Sequence, residues 1–394
     1  MSKLRVAQVN AGAASAVGRG HPWIWRDAVV RPPAGAKTGD PVSVQDSSGR
    51  IIAMGLWDAT SPLAIRVYAQ GEKRNFDGAM LVASVARALA RRDRWKDDRD
   101  TTAYRLCHGE GDRVPGVVID RYAETAVLRL DGDAISVWTT ELTDGLWPLL
   151  ESLGIRSFAL RAPRGAEGED KLRPIAGAPP PDKVTVRENG IAMVVDLARG
   201  QKTGAFLDQR DNRRRVRDLS RGRRVLNLFS YAGGFSTAAA LGGATHVTSV
   251  DIAQAAHATA QESMRANDID PSAHSFVTAD AFAFLESAHK KGQRWDVVIS
   301  DPPSFAPNEK SRPRALTAYR KLHRACAAVL TDGGIFCASS CSSHVSAEEF
   351  ATTLDDGAVG RSDLSLVEMH GAPWDHPTTP AFPEGRYLKF FVLC

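Results

Sequence analysis

Two polar segments, each following an apolar run, carry the side chains best suited to chemistry. Residues 300–305 read S-D-P-P-S-F, and the two prolines fix the backbone beside Asp301, so its carboxylate is held at the end of the run. Residues 338–344 read A-S-S-C-S-S-H and place the Cys341 thiol after a second apolar run. Because the carboxyl ends of parallel strands meet at one edge of a sheet, we expect Asp301 and Cys341 to lie at the entrance of the same site.

A thiol and a carboxylate at the entrance of one site suit covalent chemistry on a pyrimidine. Cytosine C5 is a poor nucleophile, and addition of the Cys341 sulfur to C6 would let C5 accept a methyl group from a sulfonium donor. Asp301, ionised or protonated, would hold N3 and the exocyclic amine, and the base would have to leave its stack. Two alternatives stay open, namely Cys341 as a buried small hydrophobe and residues 300–305 as a plain loop. His344 either lowers the thiol pKa or lies at the surface.

The D-P-P-x-F turn is the more specific of the two signals. Methyltransferases that act on nucleobase amino groups or rings use this type of turn to grip the edge of the base. We therefore expect four consecutive residues to contact the substrate, namely Pro302, Pro303, Ser304 and Phe305.

Residues 224–251 form the stretch that would position these groups. They read as a strand, a turn around Gly233 and Gly234, a helix, and a second strand ending in Asp251. An acid about 20 residues after the glycines is where a doubly wound sheet binds ribose hydroxyls. The turn lacks G-x-G-x-x-G and no G-x-x-x-x-G-K-[ST] occurs, so S-adenosylmethionine fits better than a dinucleotide or a nucleoside triphosphate. Asp280, after the third strand, would take the adenine amino group. The alternative is a glycine-containing turn of an ordinary α/β domain.

Strand and helix signals alternate through the C-terminal half and predict an α/β fold with a mostly parallel sheet. A hairpin is expected over residues 184–197, with Asn189-Gly190 as a type I′ turn. The domains are predicted at 1–71 (β-rich), 72–188 (middle α+β) and 189–394 (catalytic). Within the middle domain, helices are expected over 75–94 and 134–153, and 164–182 is the most linker-like piece. Trp23 and Trp25 suit base stacking and a core equally.

Composition bounds the function classes. The net charge is only +4, which permits a polyanionic partner without demonstrating one. Five cysteines without a C-x-x-C pair predict no disulfide framework, no zinc or other metal site, and a reducing cytoplasm. No apolar run reaches about 18 residues, so no membrane-spanning helix is expected.

Eight segments together resemble one family over nearly the whole chain. They read HPWIW, RLCHGEGDRVPGVVIDRY, QKTGAFLDQRDNR, LNLFSYAGGF, SVDIA, SDPPSFAPNEK, SSCSSH and PEGRYLKFF. The chain resembles the bacterial 23S ribosomal RNA (cytosine-5) methyltransferases that carry an N-terminal PUA domain. The resemblance implies a PUA domain, a middle domain and a Rossmann-like class I catalytic domain that uses S-adenosylmethionine.

The resemblance also implies roles for individual residues. Cys341 would be the nucleophile and Asp301 would contact the base. The cofactor would be bound by Gln209, Arg210, Ser230, Tyr231, Ala232, Gly233, Gly234, Asp251, Ile252, Asp280, Ala281 and Asp301. Many RNA cytosine-5 methyltransferases carry a second cysteine where this chain has Ser304, and the family it resembles lacks that cysteine. The base that removes the C5 proton is therefore unassigned.

The sequence as a whole predicts a cytosine C5 methyltransferase that acts on 23S ribosomal RNA. One rival is a guanine N-methyltransferase that holds an amino group with residues 301–305 and uses Cys341 only structurally. A second rival is a noncatalytic RNA-binding protein with a retained cofactor fold. The sequence determines neither the target nucleotide, nor whether naked RNA or an assembled particle is the substrate, nor the oligomeric state, and a homodimer is one option.

Overall fold

The N-terminal region of the computed structural model is a six-stranded sheet; the structure describes residues 4–71, 76–162 and 172–394. Its strands are β1 (Arg5–Val9), β2 (Trp23–Trp25), β3 (Val29–Arg31), β4 (Pro41–Gln45), β5 (Ile51–Trp57) and β6 (Leu63–Gln70). The order is β2-β6-β5-β4-β1-β3, and only β1 and β4 pair in parallel. Helix α1 (Ala11–Arg19) begins at the Asn10 cap and ends at Gly20, whose φ is 109°. The β-rich prediction is confirmed, although the sequence analysis named neither β1 nor α1.

The middle region is a five-stranded sheet with helices packed on it. Its strands, in the order β11-β10-β9-β8-β7, are β7 (Ala103–His108), β8 (Val117–Tyr122), β9 (Thr125–Leu130), β10 (Ser157–Arg161) and β11 (Leu172–Gly177). Its helices are α2 (Gly78–Ala90), α3 (Asp133–Ser136) and α4 (Thr139–Ser152). The predicted helix over 134–153 is therefore broken between α3 and α4.

The linker prediction for 164–182 is only partly testable, because residues 163–171 lie outside the described part of the chain. Residues 172–177 are not a linker but strand β11, which pairs antiparallel with β10. The sequence signal missed this strand because Pro174 and Gly177 suggested a loop. An edge strand tolerates both residues.

A two-stranded hairpin follows, formed by β12 (Lys183–Glu188) and β13 (Ile191–Asp196). Asn189 and Gly190 both have positive φ, as the predicted type I′ turn requires. Two side chains at the end of a helix in the C-terminal region, one within it and one just past it, bind β13. The Val194 amide donates to Ser263 Oγ at 3.0 Å and the Ala192 amide to Asn267 Oδ1 at 2.9 Å. The expected boundary at 188/189 falls at the tip of this hairpin.

The C-terminal region is a seven-stranded sheet covered by helices on both faces. Its strands are β14 (Arg224–Leu228), β15 (His246–Asp251), β16 (Ser275–Thr278), β17 (Trp295–Ser300), β18 (Leu330–Ser340), β19 (Leu366–His370) and β20 (Lys389–Leu393). Its helices are α5 (Arg210–Leu219), α6 (Gly234–Leu241), α7 (Gln254–Arg265), α8 (Ala281–Lys290), α9 (Arg312–Ala328), α10 (Ala347–Ala351) and α11 (Asp356–Val359). The α/β prediction with a mostly parallel sheet is confirmed.

The strand order β16-β15-β14-β17-β18-β20-β19 sets the place of the site. Strands β14 to β18 run parallel, and β20 is antiparallel to β18. The chain runs outward from β14 to β16 and then returns to β17 on the other side of β14. The carboxyl ends of β14 and β17 therefore flank the crevice in which doubly wound sheets bind ligands.

Candidate active site

One buried amide joins the ends of β17 and β18. Asp301 directly follows β17, and Gln209 Nε2 donates to its Oδ1 at 3.0 Å and to Ser339 Oγ on β18 at 2.9 Å. Asn212 Nδ2 donates to Gln209 Oε1 at 2.6 Å, which fixes the orientation of the amide. The predicted site residues Gln209 and Asp301 thus lie against each other.

The environment of Asp301 favours its neutral form. Burial raises the pKa of this carboxyl to about 6, and the nearby Asp208 carboxylate adds to the rise, while the hydrogen bond with Ser339 opposes it. A group with a pKa near the working pH both accepts and donates protons readily. Asp301 is therefore suited to move a proton at the carboxyl end of β17.

Cys341 lies one residue past β18 and is partly buried. Burial raises the pKa of its thiol to about 11, the charge of Asp301 raises it further, and Lys202 opposes the rise. The thiol is therefore protonated near neutral pH and must lose its proton when it attacks. His344 lies elsewhere, with Nδ1 3.5 Å from Glu309 Oε2. The structure thus gives the thiol a raised pKa and leaves His344 paired with a carboxylate.

The two segments that the sequence predicted to meet do meet. Ser304 Oγ, in the D-P-P-S-F turn, is 3.0 Å from Ser342 Oγ, next to Cys341. The Tyr319 hydroxyl from α9 bonds Ser342 Oγ at 3.0 Å and Ser340 Oγ at 2.9 Å. These bonds hold the end of β18 beside the turn that follows β17. Of the predicted substrate residues, Pro302 is buried, Pro303 and Ser304 are exposed, and Phe305 is partly buried.

A buried lysine supports the segment that carries Cys341. Lys389 Nζ, on β20, donates to the carbonyl oxygens of Ser342 at 2.6 Å, Val345 at 2.8 Å and Tyr387 at 2.8 Å. Burial lowers the pKa of this ammonium to about 8. Its charge lowers the pKa of Cys341, so the lysine favours the thiolate as well as the local backbone shape.

Asp208, Lys202 and Tyr387 form a hydrogen-bonded group of polar side chains that the sequence analysis did not single out. Asp208 Oδ2 accepts from the Tyr387 hydroxyl at 2.8 Å and from Lys202 Nζ at 3.1 Å. Asp208 is 4% exposed, and its Oδ1 is buried without a hydrogen-bond partner among the described residues. Lys202 and Asp208 belong to the QKTGAFLDQRDNR segment, which was the available signal. Tyr387 belongs to the PEGRYLKFF segment, but its pairing with a residue 179 positions away had no local signal.

The loop after β14 has the strained backbone typical of a ligand site. Phe229 and Tyr231 have φ of 56° and 45°, which is uncommon for residues with a side chain. The Ser230 amide donates to the Val250 carbonyl at 3.0 Å, and the Gly233 amide to the Ser230 carbonyl at 2.8 Å. Gly233 has φ 73°, and a Cβ there would lie 2.4 Å from Cβ of Ala260. The loop therefore needs glycine for both its conformation and its packing.

The ends of β15 and β16 present groups that suit a nucleoside. Asp251 Oδ2 accepts from the Tyr231 amide and Oδ1 from the Ala253 amide, both at 2.8 Å, so the carboxylate is fixed and each oxygen keeps a free lone pair. Ile252 is 77% exposed although it is apolar. The exposed Asp280 carboxylate caps α8 through the Ala283 amide at 3.0 Å.

Two observations test whether these residues fit S-adenosylmethionine. Ser230 Oγ is buried and has no partner among the described residues, so it can bond a polar ligand group. The apolar side chains of Ile252, just past β15, and Phe282, in the first turn of α8, are exposed as the walls of an adenine site would be. The other predicted cofactor residues in this area are Ala232 and Gly234, both partly buried in the loop, and Ala281, buried at the start of α8. The residues fit the group.

Arg210 lies in different surroundings from the other predicted cofactor residues. Its Nη1 and Nη2 donate to Oδ2 and Oδ1 of Asp375, each at 2.9 Å, and its guanidinium lies 4.8 Å from the Trp95 ring centre. The side chain is 2% exposed. The structure therefore places Arg210 in a buried contact with the middle region, apart from Gln209 and Asp301.

Within 4–71, 76–162 and 172–394, no group of three or more His, Cys, Asp or Glu side chains is arranged to hold a metal ion. Across the same ranges, no helix has the length and apolar character needed to cross a bilayer.

Comparisons with known proteins agree with this geometry. Residues 172–386 match the family described as S-adenosylmethionine-dependent methyltransferase, and residues 7–70 match the PUA-like domain family. A ribosomal RNA large subunit methyltransferase of Deinococcus radiodurans is 38% identical, with 95% of this chain and 93% of that protein covered. Ribosomal RNA large subunit methyltransferase I of Escherichia coli is 33% identical, with 95% of each chain covered.

Solved structures show the same fold. SMU.776 complexed with SAH superposes with a TM-score of 0.88 at 24% identity, covering 99% of this chain and 100% of that one. A SAM-dependent methyltransferase of Streptococcus mutans gives a TM-score of 0.87 at 23% identity, with the same coverage. The chain therefore belongs to the S-adenosylmethionine-dependent methyltransferase family, together with the ribosomal RNA large subunit methyltransferases that it matches over nearly its whole length.

Proposed function

We propose that this methyltransferase modifies C5 of a cytosine in large-subunit ribosomal RNA, with Cys341 as the nucleophile. The RNA substrate is supported by the printed names of the Deinococcus radiodurans and Escherichia coli relatives, at 38% and 33% identity. The observation that carries the chemistry is the pairing of a thiol and a proton-moving carboxyl at neighbouring strand ends. The Ser304–Ser342 contact and the Gln209 amide hold the two ends together.

The first step that these residues support is addition to the ring. The Cys341 sulfur forms a bond to C6 as its proton passes to the Asp301 carboxylate, and the ring π electrons move toward N3. Asp301 then gives the proton to N3. A pKa of about 6 suits this transfer, because the carboxyl accepts and releases a proton at little cost near neutral pH.

The second step uses the electron density that the addition creates at C5. S-adenosylmethionine supplies, when bound, an electrophilic methyl carbon on a sulfonium sulfur. Loss of the C5 proton then restores the C5–C6 double bond, the C6–S electron pair returns to Cys341, and N3 returns its proton through Asp301 to the thiolate. We propose that the base edge rests on four residues of the turn, namely Pro302, Pro303, Ser304 and Phe305.

We propose the cofactor site at the carboxyl ends of β14, β15 and β16. Asp251 would bind the ribose hydroxyls, since both of its oxygens are already oriented by backbone amides. Asp280 would accept from the adenine amine between the exposed apolar side chains of Ile252 and Phe282. Gln209 would complete the site from the side of Asp301, and Arg210 would act only by anchoring the segment that carries Gln209.

We propose a division of labour among the regions, with 1–71 binding RNA, 72–188 supporting the site and 189–394 catalysing transfer. The match of residues 7–70 to the PUA-like family supports the first assignment. We propose a cytoplasmic location, because the thiols of Cys107, Cys326 and Cys337 are free, as is usual in a reducing compartment. Analytical ultracentrifugation would test the homodimer.

The deciding experiment is methyl transfer from labelled S-adenosylmethionine to undermodified ribosomal RNA, followed by nucleoside analysis. Wild type and the Cys394→Ala control should yield labelled 5-methylcytidine, because Cys394 is exposed at the far end of β20. Cys341→Ala should lose activity by on the order of 10³-fold or more. A methylated guanosine, or an active Cys341→Ala, would replace this proposal with the guanine N-methyltransferase. Binding without transfer to any RNA would favour the noncatalytic alternative.

A further inference from the structure

Resolution of the covalent adduct needs a proton acceptor that neither Cys341 nor Asp301 provides. Cys341 is bonded to C6 at that stage, and Asp301 is engaged with the proton of N3. Methyl transfer leaves both a hydrogen and the new methyl group on C5, and the C6–S bond cannot break until that hydrogen leaves. This inference rests on the proposed function and concerns only this last step.

The carboxylate that fits this role is Asp208, which is buried. It directly precedes Gln209, whose amide holds Asp301 and Ser339. Its negative charge raises the pKa of both Asp301 and Cys341. Although burial opposes ionisation, Lys202, His376 and the Tyr387 hydrogen bond hold the pKa of Asp208 well below the ordinary range, so the carboxylate is ionised at working pH.

The Tyr387 side chain is the phenol that bonds this carboxylate. Tyr387 donates to Asp208 Oδ2 at 2.8 Å and is partly exposed, whereas Asp208 is 4% exposed. The Tyr387 carbonyl accepts from Lys389 Nζ at 2.8 Å, and the same ammonium holds Ser342, next to Cys341. One lysine therefore fixes the backbone of Tyr387 and of the nucleophile segment together.

Lys202 completes the arrangement. Its Nζ donates to Asp208 Oδ2 at 3.1 Å, and its side chain is 32% exposed. A proton that reaches the carboxylate therefore has a route to solvent through an ammonium that can exchange. Thr203, its neighbour, bonds Asp120 and Tyr122 of β8, which anchors this segment on the middle region.

We propose that Asp208 and Tyr387 form the acceptor for the C5 proton, with Tyr387 as the relay. The C5–H bond breaks and its electron pair forms the C5–C6 double bond, while the C6–S pair returns to Cys341. The proton binds the phenol oxygen of Tyr387 as the phenol proton moves to Asp208 Oδ2. Lys202 then releases one ammonium proton to solvent and takes up the carboxyl proton in its place, so the single proton displaced by the methyl group is accounted for.

The test uses the full-length protein, undermodified ribosomal RNA and labelled S-adenosylmethionine. Asp208→Asn and Tyr387→Phe should each lower turnover by about 10²–10⁴-fold. Both should accumulate a labelled protein–RNA adduct that survives denaturing electrophoresis, because methyl transfer precedes the blocked step. Asp218→Asn, an exposed carboxylate on α5, is the matched control and should behave as wild type. Adding Cys341→Ala to either variant should abolish the adduct.

Several outcomes would overturn the assignment. Wild-type turnover in both variants would exclude the pair as the acceptor. Lost turnover without an adduct, in variants whose circular dichroism is unchanged, would exclude it too, and a matching loss of S-adenosylmethionine affinity by calorimetry would make Asp208 a cofactor ligand instead. Failure of the proposed function is distinguishable, because wild type would then give no 5-methylcytidine or Cys341→Ala would stay active.

Discussion

At the scale of single residues, the site keeps a carboxyl group in surroundings that favour its neutral form. Gln209 donates to Asp301 at 3.0 Å, yet burial still raises the pKa of that carboxyl to about 6. Such a group suits proton transfer to a ring nitrogen, but its ionised form is costly to bury. The same property that serves the chemistry should therefore cost stability.

Substitution of Asp301 should expose that cost. The pKa of Asp301 in the folded protein, about 6, lies above its ordinary value of 3.8. The stability that the protonated carboxyl contributes is therefore fully present below pH 3.8 and is lost as the pH rises through 6. That difference corresponds to at most about 3 kcal/mol. Asp301→Asn should therefore be about 1–3 kcal/mol more stable than wild type at pH 8, with little difference at pH 4, and should be inactive. Urea unfolding at both pH values measures this, and equal stability at pH 8 would contradict it.

At the scale of elements, the loop between β14 and α6 combines backbone strain with close packing. Gly233 has φ 73°, and a Cβ would lie 2.4 Å from Cβ of Ala260 on α7. Gly222, in the turn before β14, has a similar φ of 72° with nothing within 4 Å of an added Cβ. The two glycines therefore separate the cost of the backbone conformation from the cost of overlap.

Gly233→Ala should combine both costs and also displace the cofactor loop. We expect it to lower the free energy of unfolding by about 2–5 kcal/mol, since the left-handed conformation costs about 1–2 kcal/mol and overpacking about 1–3 kcal/mol. Gly222→Ala should cost only about 1–2 kcal/mol and leave S-adenosylmethionine affinity unchanged. Calorimetry should show an affinity at least about tenfold weaker for Gly233→Ala. Equal affinities for the two variants would argue against a role of this loop in cofactor binding.

Elements also explain how much of the site the sequence could predict. Asp251 and Asp301 each follow an apolar run, and Cys341 lies just past another. Parallel strands bring their carboxyl ends to one edge of the sheet, so the grouping of these three residues could be predicted from the local sequence pattern. Asp208 and Tyr387, which lies just before β20, form a hydrogen bond although they are 179 residues apart in the chain. No local signal encodes that contact. Adjacent helical side chains point about 100° apart. Gln209 and the next residue along therefore face different sides, so motif position alone could not show that Arg210 would turn away.

At the scale of the whole molecule, the segment before β20 touches all three regions. Asp375 binds Arg210 of α5 through two bonds of 2.9 Å, and the Arg105 amide of β7 donates to its Oδ2 at 2.8 Å. Seven residues later, the Phe382 ring lies 4.7 Å from Trp23 of β2. The sequence left Trp23 open between stacking and core. The structure gives it an edge contact between regions, with its indole nitrogen 2.8 Å from Glu110 Oε1.

Loss of Asp375 should therefore weaken the entire assembly. Asp375→Ala removes the buried carboxylate that pairs with both Nη atoms of Arg210 and leaves only the half-exposed Asp211 beside the guanidinium, and breaking such a buried pair costs about 3–5 kcal/mol. The exposed Glu286–Lys290 pair on α8 is the control, and Glu286→Ala should leave the stability close to that of wild type. Because the same segment leads to Tyr387, Asp375→Ala should also lower methyl transfer, while Arg210→Met combined with Asp375→Leu should recover much of the lost stability. Guanidinium unfolding with activity assays would test this, and a cost below about 1 kcal/mol for Asp375→Ala would show that the three regions are held together elsewhere.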